Sequence, residues 1–341
     1  MKIEDFLRSE LANIIKEDIS QEEQKMLDLK QMEYFIYQRL TSKKFRKNLL
    51  KPETLAIIKS KIALSVKANK PIYVIFAFGG YKNHWVTEFH PKAEWAEFFH
   101  LMYITKLLTP IAKAYKPGIF LEYESECEAG IYHNNQSKAD VDAYTSSFKA
   151  LIEYIKPYAP ENFTFNYRTL PEQYDTKTFF ERVLGMVDAK TEELREQHKA
   201  DMEEVLKRPL FNLKLHGKED LTHKTKEELS EIALRSLAFN HLFLDEDYKI
   251  RKDYFNGDER ISTVGAYCSE EENPDNWMTI NACARSANAY WTSRGILVAK
   301  EGEFEENIVG PKMYNVLKLK LVGVKLFDGE LAYLNRIPVV E

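Results

Sequence analysis

An apolar run of eight residues, PIYVIFAF at positions 71–78, closed by Gly79 and Gly80, constrains this chain more than any other feature. It is rich in β-formers and too short to be a helix of its own, so it reads as a buried strand. A polar loop follows. AEWAEFFHLMYITKLLTPIAKAY (93–115) then carries apolar residues at helical spacing until Pro117 and Gly118 stop it. The order repeats: GIFLEYES reads as a strand, Ser137 and Asp140 open a helix over ADVDAYTSSFKALIEYI, and NFTFNY (162–167) reads as a third strand. This alternation predicts an α/β fold, a Rossmann-like parallel sheet flanked by helices. Right-handed crossovers then set the carboxyl ends of the three strands along one edge, where open α/β sheets bind ligands.

The first seventy residues read as an N-terminal helical layer, with a Ser20/Glu23 capping pattern and Pro52 at a helix start. From Asp175 to about Arg208 a charged segment has helical periodicity and many i,i+4 charge pairs, the pattern of a solvated helix. Thr225 and Glu228 open another helix to about Asp245. After it come short candidate strands at RISTVGAY, WMTINACA, GILVAK, NVLKLKLVGVKLF and LAYLNRIPVV. The expected parts are thus a helical segment (1–70), an α/β sheet core (71–215) and a helix plus β-rich C-terminal part (216–341). The last part either completes the same sheet or forms a second lobe.

The 48 basic and 53 acidic residues leave a net charge of −5, which argues against a nucleic-acid or anionic-membrane partner. Cys127, Cys268 and Cys283 are far apart and show no CxxC spacing, so neither a disulfide framework nor a structural zinc site is expected. No run approaches the length of a bilayer span, and residues 1–15 do not form a secretory signal, so the expectation is a soluble cytoplasmic protein.

Candidate chemistry gathers after the first two strands. Gly79 and Gly80 let the backbone turn and expose amides to an anion, with Lys82 and Asn83 beside them; a plain turn is the competing reading. Lys82 suits a phosphate or carboxylate, or an imine with a carbonyl if desolvated. In EYESECE (122–128), Glu124 and Glu126 share a face of an extended chain, and their repulsion would raise one pKa for general acid or base work. A solvated acidic loop is the alternative. Carboxylate neighbours make Cys127 a poor nucleophile. His133 after Glu128 has no recognised ligand spacing, His84, His90 and His100 are scattered, and HExxH, GxSxG and GxGxxG are missing, so neither metal nor cofactor is expected. Arg168 closes the third strand, while Arg285 and Arg294 flank SANAYWTS; each is an anion partner or a surface ion pair. Tyr290 and Trp291 wall a pocket or pack in the core.

The order of features from Ile72 to about Leu151 resembles the pyoverdine and dityrosine biosynthesis family, which includes amino-acid isocyanide synthases. The shared order is a strand ending at Phe78, a loop with Lys82 and Asn83, and a helix start at Glu94–Glu97. Tyr115 with Pro117–Gly118, an acidic strand end at Glu124–Glu126 and an aspartate-led helix at Asp140–Tyr144 complete it. Glu124, Ser125 and Glu126 stand where the family tends to have Ser-Asp-Gly. The resemblance implies an enzyme that joins the amino group of an amino acid to the carbonyl of ribulose 5-phosphate and releases an isocyanide by imine chemistry, without a bound metal. Lys82 would contact the sugar phosphate or its carbonyl, and Glu97 or Glu124 would move protons. Two alternatives stand beside it: a transferase or lyase of another phosphorylated or carboxylated metabolite, and a non-catalytic binding protein that uses its helical segments.

Overall fold

A computed structural model describes residues 2–47, 49–78, 89–133, 136–216, 221, 223–255, 259–264, 277–286 and 289–340. The chain opens with helices α1 (Ile3–Lys16), α2 (Gln21–Asp28), α3 (Met32–Leu40) and α4 (Pro52–Ala68). Ser20 and Glu23 form the reciprocal capping box of α2, and α4 starts on Pro52 and ends on Asn69 in the left-handed conformation.

Strand β1 (Ile72–Phe78) leads to α5 (Trp95–Ala114), β2 (Ile119–Ser125), α6 (Cys127–His133), α7 (Lys138–Ile155) and β3 (Phe163–Arg168). Helices α8 (Leu170–Gln173), α9 (Thr176–Gln197), α10 (Met202–His216) and α11 (Lys226–Phe255) precede β4 (Ile261–Val264) and β5 (Trp277–Thr279). Among the described residues these strands form one parallel sheet in the order β3-β2-β1-β4-β5, so the fold is the expected Rossmann-like α/β sheet. Strands β6 (Arg294–Lys300), β7 (Glu303–Val309), β8 (Lys320–Gly323) and β9 (Arg336–Val340), with α12 (Pro311–Val316) before β8, build a second, mixed sheet in the order β7-β6-β9-β8. The C-terminal part therefore does both things expected of it in the alternative: it extends the first sheet and adds another.

Three local expectations change. The charged segment after Asp175 is two helices, α9 and α10, parted around His198–Asp201. One face of α9 is apolar, and Phe179, Phe180, Val183 and Val187 share a cluster with Ala233, Phe239 and Phe243 of α11. The helix that Pro311 starts runs over the first two residues of the expected strand NVLKLKLVGVKLF, of which only Lys320–Gly323 is a strand. Strand β7 is unanticipated. Glu301 (φ 53°) and Gly302 (φ 84°) form a two-residue turn with both residues left-handed, which pairs β6 with a glutamate-rich strand.

The turn into β2 needs its glycine. Gly118 has φ 77°, and a Cβ there would lie 1.9 Å from the Asn162 carbonyl oxygen. The Asn162 amide donates to the Ala112, Tyr115 and Lys116 carbonyls, which fixes the end of α5 against the start of β3. This places the start of α5 at the carboxyl edge of the sheet.

Candidate functional site

Because side chains alternate along β2, the sheet carries two sets of buried polar groups near its carboxyl edge. Tyr123 and Ser125 face α5 and α7 together with Phe76 and Phe78 of β1 and Tyr167 of β3; Tyr123 packs on Phe148 of α7, and Phe76 on His100 of α5. Glu122 and Glu124 face the other way, beside Asn166 and Arg168.

The helix-covered face centres on Glu97, which is fully buried. Glu94 and Glu97 form the capping box of α5, with the Glu94 amide donating to Glu97 Oε2 at 2.8 Å. The other oxygen, Oε1, accepts the Tyr144 hydroxyl at 3.0 Å. This helix start is tied down from several directions. The Ala93 amide donates to Ser147 Oγ at 2.8 Å, the Tyr333 hydroxyl donates to the Ala93 carbonyl, and Trp95 Nε1 donates to the Arg336 carbonyl at 2.8 Å. The Gly295 amide donates to both Glu94 oxygens at 3.3 Å. The second sheet thus fixes the carboxylate that the first sheet's helix presents.

Aromatic rings enclose the group. Phe78 touches Tyr123, Phe148, Tyr167, Tyr290 and Trp291, with ring centroids 5.5–6.0 Å apart. Burial holds the Tyr144 phenol well above its usual pKa, and the charge of Glu97 adds to this. Burial does the same for Tyr290, with Tyr123 and then Glu97 adding, and for Tyr167, with Cys127 adding. These phenols stay protonated, and the Tyr144 hydroxyl donates to Glu97. Cys127 Sγ accepts the Ser125 hydroxyl at 2.7 Å, and burial pushes the thiol up to about 12, so it is no thiolate nucleophile. His100 stacks on Tyr290 at 4.0 Å and pairs its Nδ1 with the Ala282 carbonyl at 2.9 Å, and burial lowers its pKa to about 3. It is a neutral ring, with the proton on Nδ1.

On the opposite face one guanidinium nitrogen of Arg168 lies 2.7 Å from Glu122 Oε1 and 2.5 Å from Glu124 Oε1, and Asn166 donates to Glu122 Oε2 at 2.6 Å. Burial raises the Glu122 pKa, Asn166 and Arg168 oppose this, and Glu124 adds to the rise. The like-charge neighbour of Glu124 is therefore Glu122, two residues back along the strand. Glu126 instead follows the strand, donating its amide to the Phe78 carbonyl just before α6.

The structure thus brings Glu97 and Tyr290 together on one face and Glu124 and Arg168 on the other. Arg294 is buried at the start of β6, next to the Gly295 that holds Glu94. Arg285 is not brought to either set; it is half-exposed and pairs with Glu305 of β7, a surface ion pair. Gly79, Gly80, Lys82, Asn83 and His84 lie outside the described residues, as does the side chain of His133. Among the described residues no cluster of His, Cys, Asp or Glu has the makings of a metal site, and no helix is long and apolar enough to cross a membrane. Glu94, Glu122, Tyr144 and Tyr167 are additions from the structure. The Glu-x-x-Glu spacing at a helix start and the two-residue spacing of Glu122 and Glu124 were the available signals for the carboxylates.

No protein-family model matches the chain, and no curated protein matches it. Among solved structures it is similar to the crystal structure of the PvcA protein from Pseudomonas aeruginosa, with 14% identity and a TM-score of 0.57. The match covers 91% of this chain and 100% of PvcA. The likeness is one of fold. It extends beyond the Rossmann-like sheet to most of the chain.

Proposed function

We propose that this chain is a biosynthetic enzyme of the isocyanide-synthase type, acting on the amino group of a small amino-acid-like substrate with ribulose 5-phosphate as carbon donor. One observation carries the reading: the buried Glu97 carboxylate, hydrogen-bonded to Tyr144 and ringed by protonated phenols at the carboxyl edge of the parallel sheet. Glu97 is, with Glu124, one of the two carboxylates that the resemblance of Ile72–Leu151 marks for proton transfer, and the fold shared with PvcA supports this reading.

In the first step the substrate amine attacks the ketose carbonyl and a carbon–nitrogen bond forms. The carbinolamine then loses water to give an imine. Glu97 accepts the proton released by the amine and returns it to the departing hydroxyl, the Tyr144 phenol stays hydrogen-bonded to Glu97, and the Tyr290 phenol donates to the oxygen as charge develops on it. Lys82 contacts the sugar phosphate or its carbonyl, with Gly79, Gly80 and Asn83 in the same loop. Arg294 and Arg168 are the further anion partners, and Glu124 is the second carboxylate for proton movement.

The test is borohydride trapping. Protein, pooled L-amino acids and ribulose 5-phosphate are quenched with borohydride, and secondary-amine adducts are read by mass spectrometry against heat-denatured protein. The expected result is one amino acid enriched in adduct at least about tenfold, an effect of about 1.4 kcal/mol, and lost in Glu97→Gln. No enrichment by folded protein would overturn the amine-and-carbonyl reading and favour a transferase or lyase of another metabolite.

A further inference from the structure

The face of α5 turned away from Glu97 lines a cavity of about 510 Å³, which is within the size range of small-molecule sites. At 100° per residue, Met102 and Lys106 lie roughly opposite Glu97 on the helix, and Tyr103 lies between Lys106 and His100. None of the residues lining the cavity belongs to the cluster described above. Its other walls come from α1, the turn at Lys43 and Lys44, the segment around Asn281, and Glu306 of β7.

Its rim is built. The Asn281 side-chain amide donates to the carbonyls of Lys43, Lys44 and Arg46 at 3.1–3.2 Å, and its backbone amide donates to the Phe45 carbonyl at 2.9 Å. The Tyr103 hydroxyl also donates to the Lys44 carbonyl. Three bonds from one side chain thus hold this turn, which carries two adjacent lysines to the cavity.

The lining carries three glutamates and three lysines, and they do not all pair with one another. Glu10 is engaged by Lys106 at 3.3 Å, and Glu17 by Arg39 at 3.5 Å. The Lys43 and Lys44 ammonium groups have no ion pair or hydrogen bond among the described residues. Glu306 sits inside, its carboxyl shifted toward the neutral form by burial and by Glu10, against Lys106 and Arg285. Two uncommitted cations at the mouth thus stand over the Glu306 carboxyl, with Ile14, Met102 and Leu107 as apolar walls.

We infer that this cavity binds a small organic anion with hydroxyl groups, its phosphate or carboxylate on Lys43 and Lys44 and its hydroxyls toward Glu306 and Tyr103. The site is independent of the function proposed above.

The test follows the methionine methyl signals of the full-length protein by NMR, with the Met102 signal assigned through Met102→Leu. Glycerol 3-phosphate and glycerate are the probes, and they separate the phosphate from the carboxylate form of the ligand. The expected result is a saturable shift of the Met102 signal with one of them. Its Kd should weaken at least about tenfold in Lys43→Ala/Lys44→Ala, a change of about 1.4 kcal/mol, and stay unchanged in Glu97→Gln. Two results would overturn the inference: no saturable shift with either probe, or a Kd that the double lysine variant leaves as it was. Inorganic phosphate giving the same Kd as glycerol 3-phosphate would overturn the part assigned to the hydroxyls.

Discussion

Gly295→Ala tests whether the second sheet holds the candidate catalytic helix in place. A Cβ at this position would lie 2.3 Å from the Trp95 carbonyl carbon, 2.4 Å from the Ala96 nitrogen and 2.6 Å from the Trp95 Cβ. All three atoms belong to the first turn of α5 or its anchor, so no flexible side-chain tip can move aside. Relief requires β6 and α5 to separate, which stretches the Gly295 amide away from Glu94. Overpacking of this kind costs about 1–3 kcal/mol, and weakening a hydrogen bond to a buried carboxylate adds about 1.5–3 kcal/mol. The expected total is about 2.5–6 kcal/mol. With an unfolding entropy of about 2.1 cal/mol/K per residue, a chain of 341 residues should lose roughly 3–8 °C in Tm. Differential scanning calorimetry reads this directly, and Gly185→Ala on α9, where an added Cβ meets nothing within 4 Å, is the control expected to be neutral or slightly stabilising. A Gly295→Ala protein melting within about 1 °C of the parent would refute the reasoning, because the shift worked out above is several-fold larger.

Gly118→Ala combines a left-handed φ with the contact on the Asn162 carbonyl, and urea denaturation should show a loss of at least about 2 kcal/mol. His100 is neutral when folded, with a pKa near 3, and ordinary when unfolded, so the unfolded chain binds the extra proton between these values. Its contribution is complete above about pH 6.5 and shrinks as pH falls toward 3, by roughly 2 kcal/mol at pH 5. His100→Phe should therefore flatten the acid limb of stability against pH, and an unchanged slope would contradict the assignment. Cys127, with its thiol pushed up to about 12, should resist iodoacetamide in the folded protein at pH 8 and react on unfolding, as mapped by mass spectrometry.

The run ending at Phe78, the Pro117–Gly118 stop and the capping patterns at Ser20, Ser137 and Thr225 made the sheet legible, because each is a local signal that needs no tertiary partner. Strand β7 was hidden because the polar run Glu305–Glu306–Asn307 breaks the two-residue alternation of a strand, and its pairing rests on a Glu-Gly turn outside the common hairpin dipeptides. Pro311 was the missed sign of α12. At the site, Glu124 stood out as a carboxylate at a strand end and Glu97 through the family resemblance. Tyr144 entered only as the end of the helix start Asp140–Tyr144, and only packing brings its hydroxyl to a carboxylate 47 residues earlier. Arg285 and Arg294 looked alike in sequence; the difference that leaves one on the surface and the other buried at the start of β6 is made by where the second sheet docks.

The most direct measurement supplies the purified protein with ribulose 5-phosphate carrying carbon-13 at its carbonyl carbon and the amino acid selected by trapping, and follows the product by mass spectrometry and NMR. The account predicts an isocyanide whose terminal carbon carries the label and which falls at least about tenfold in Glu97→Gln while that variant keeps its fold. A folded, substrate-binding protein that yields no labelled isocyanide, or a Glu97→Gln variant with full turnover, would contradict it.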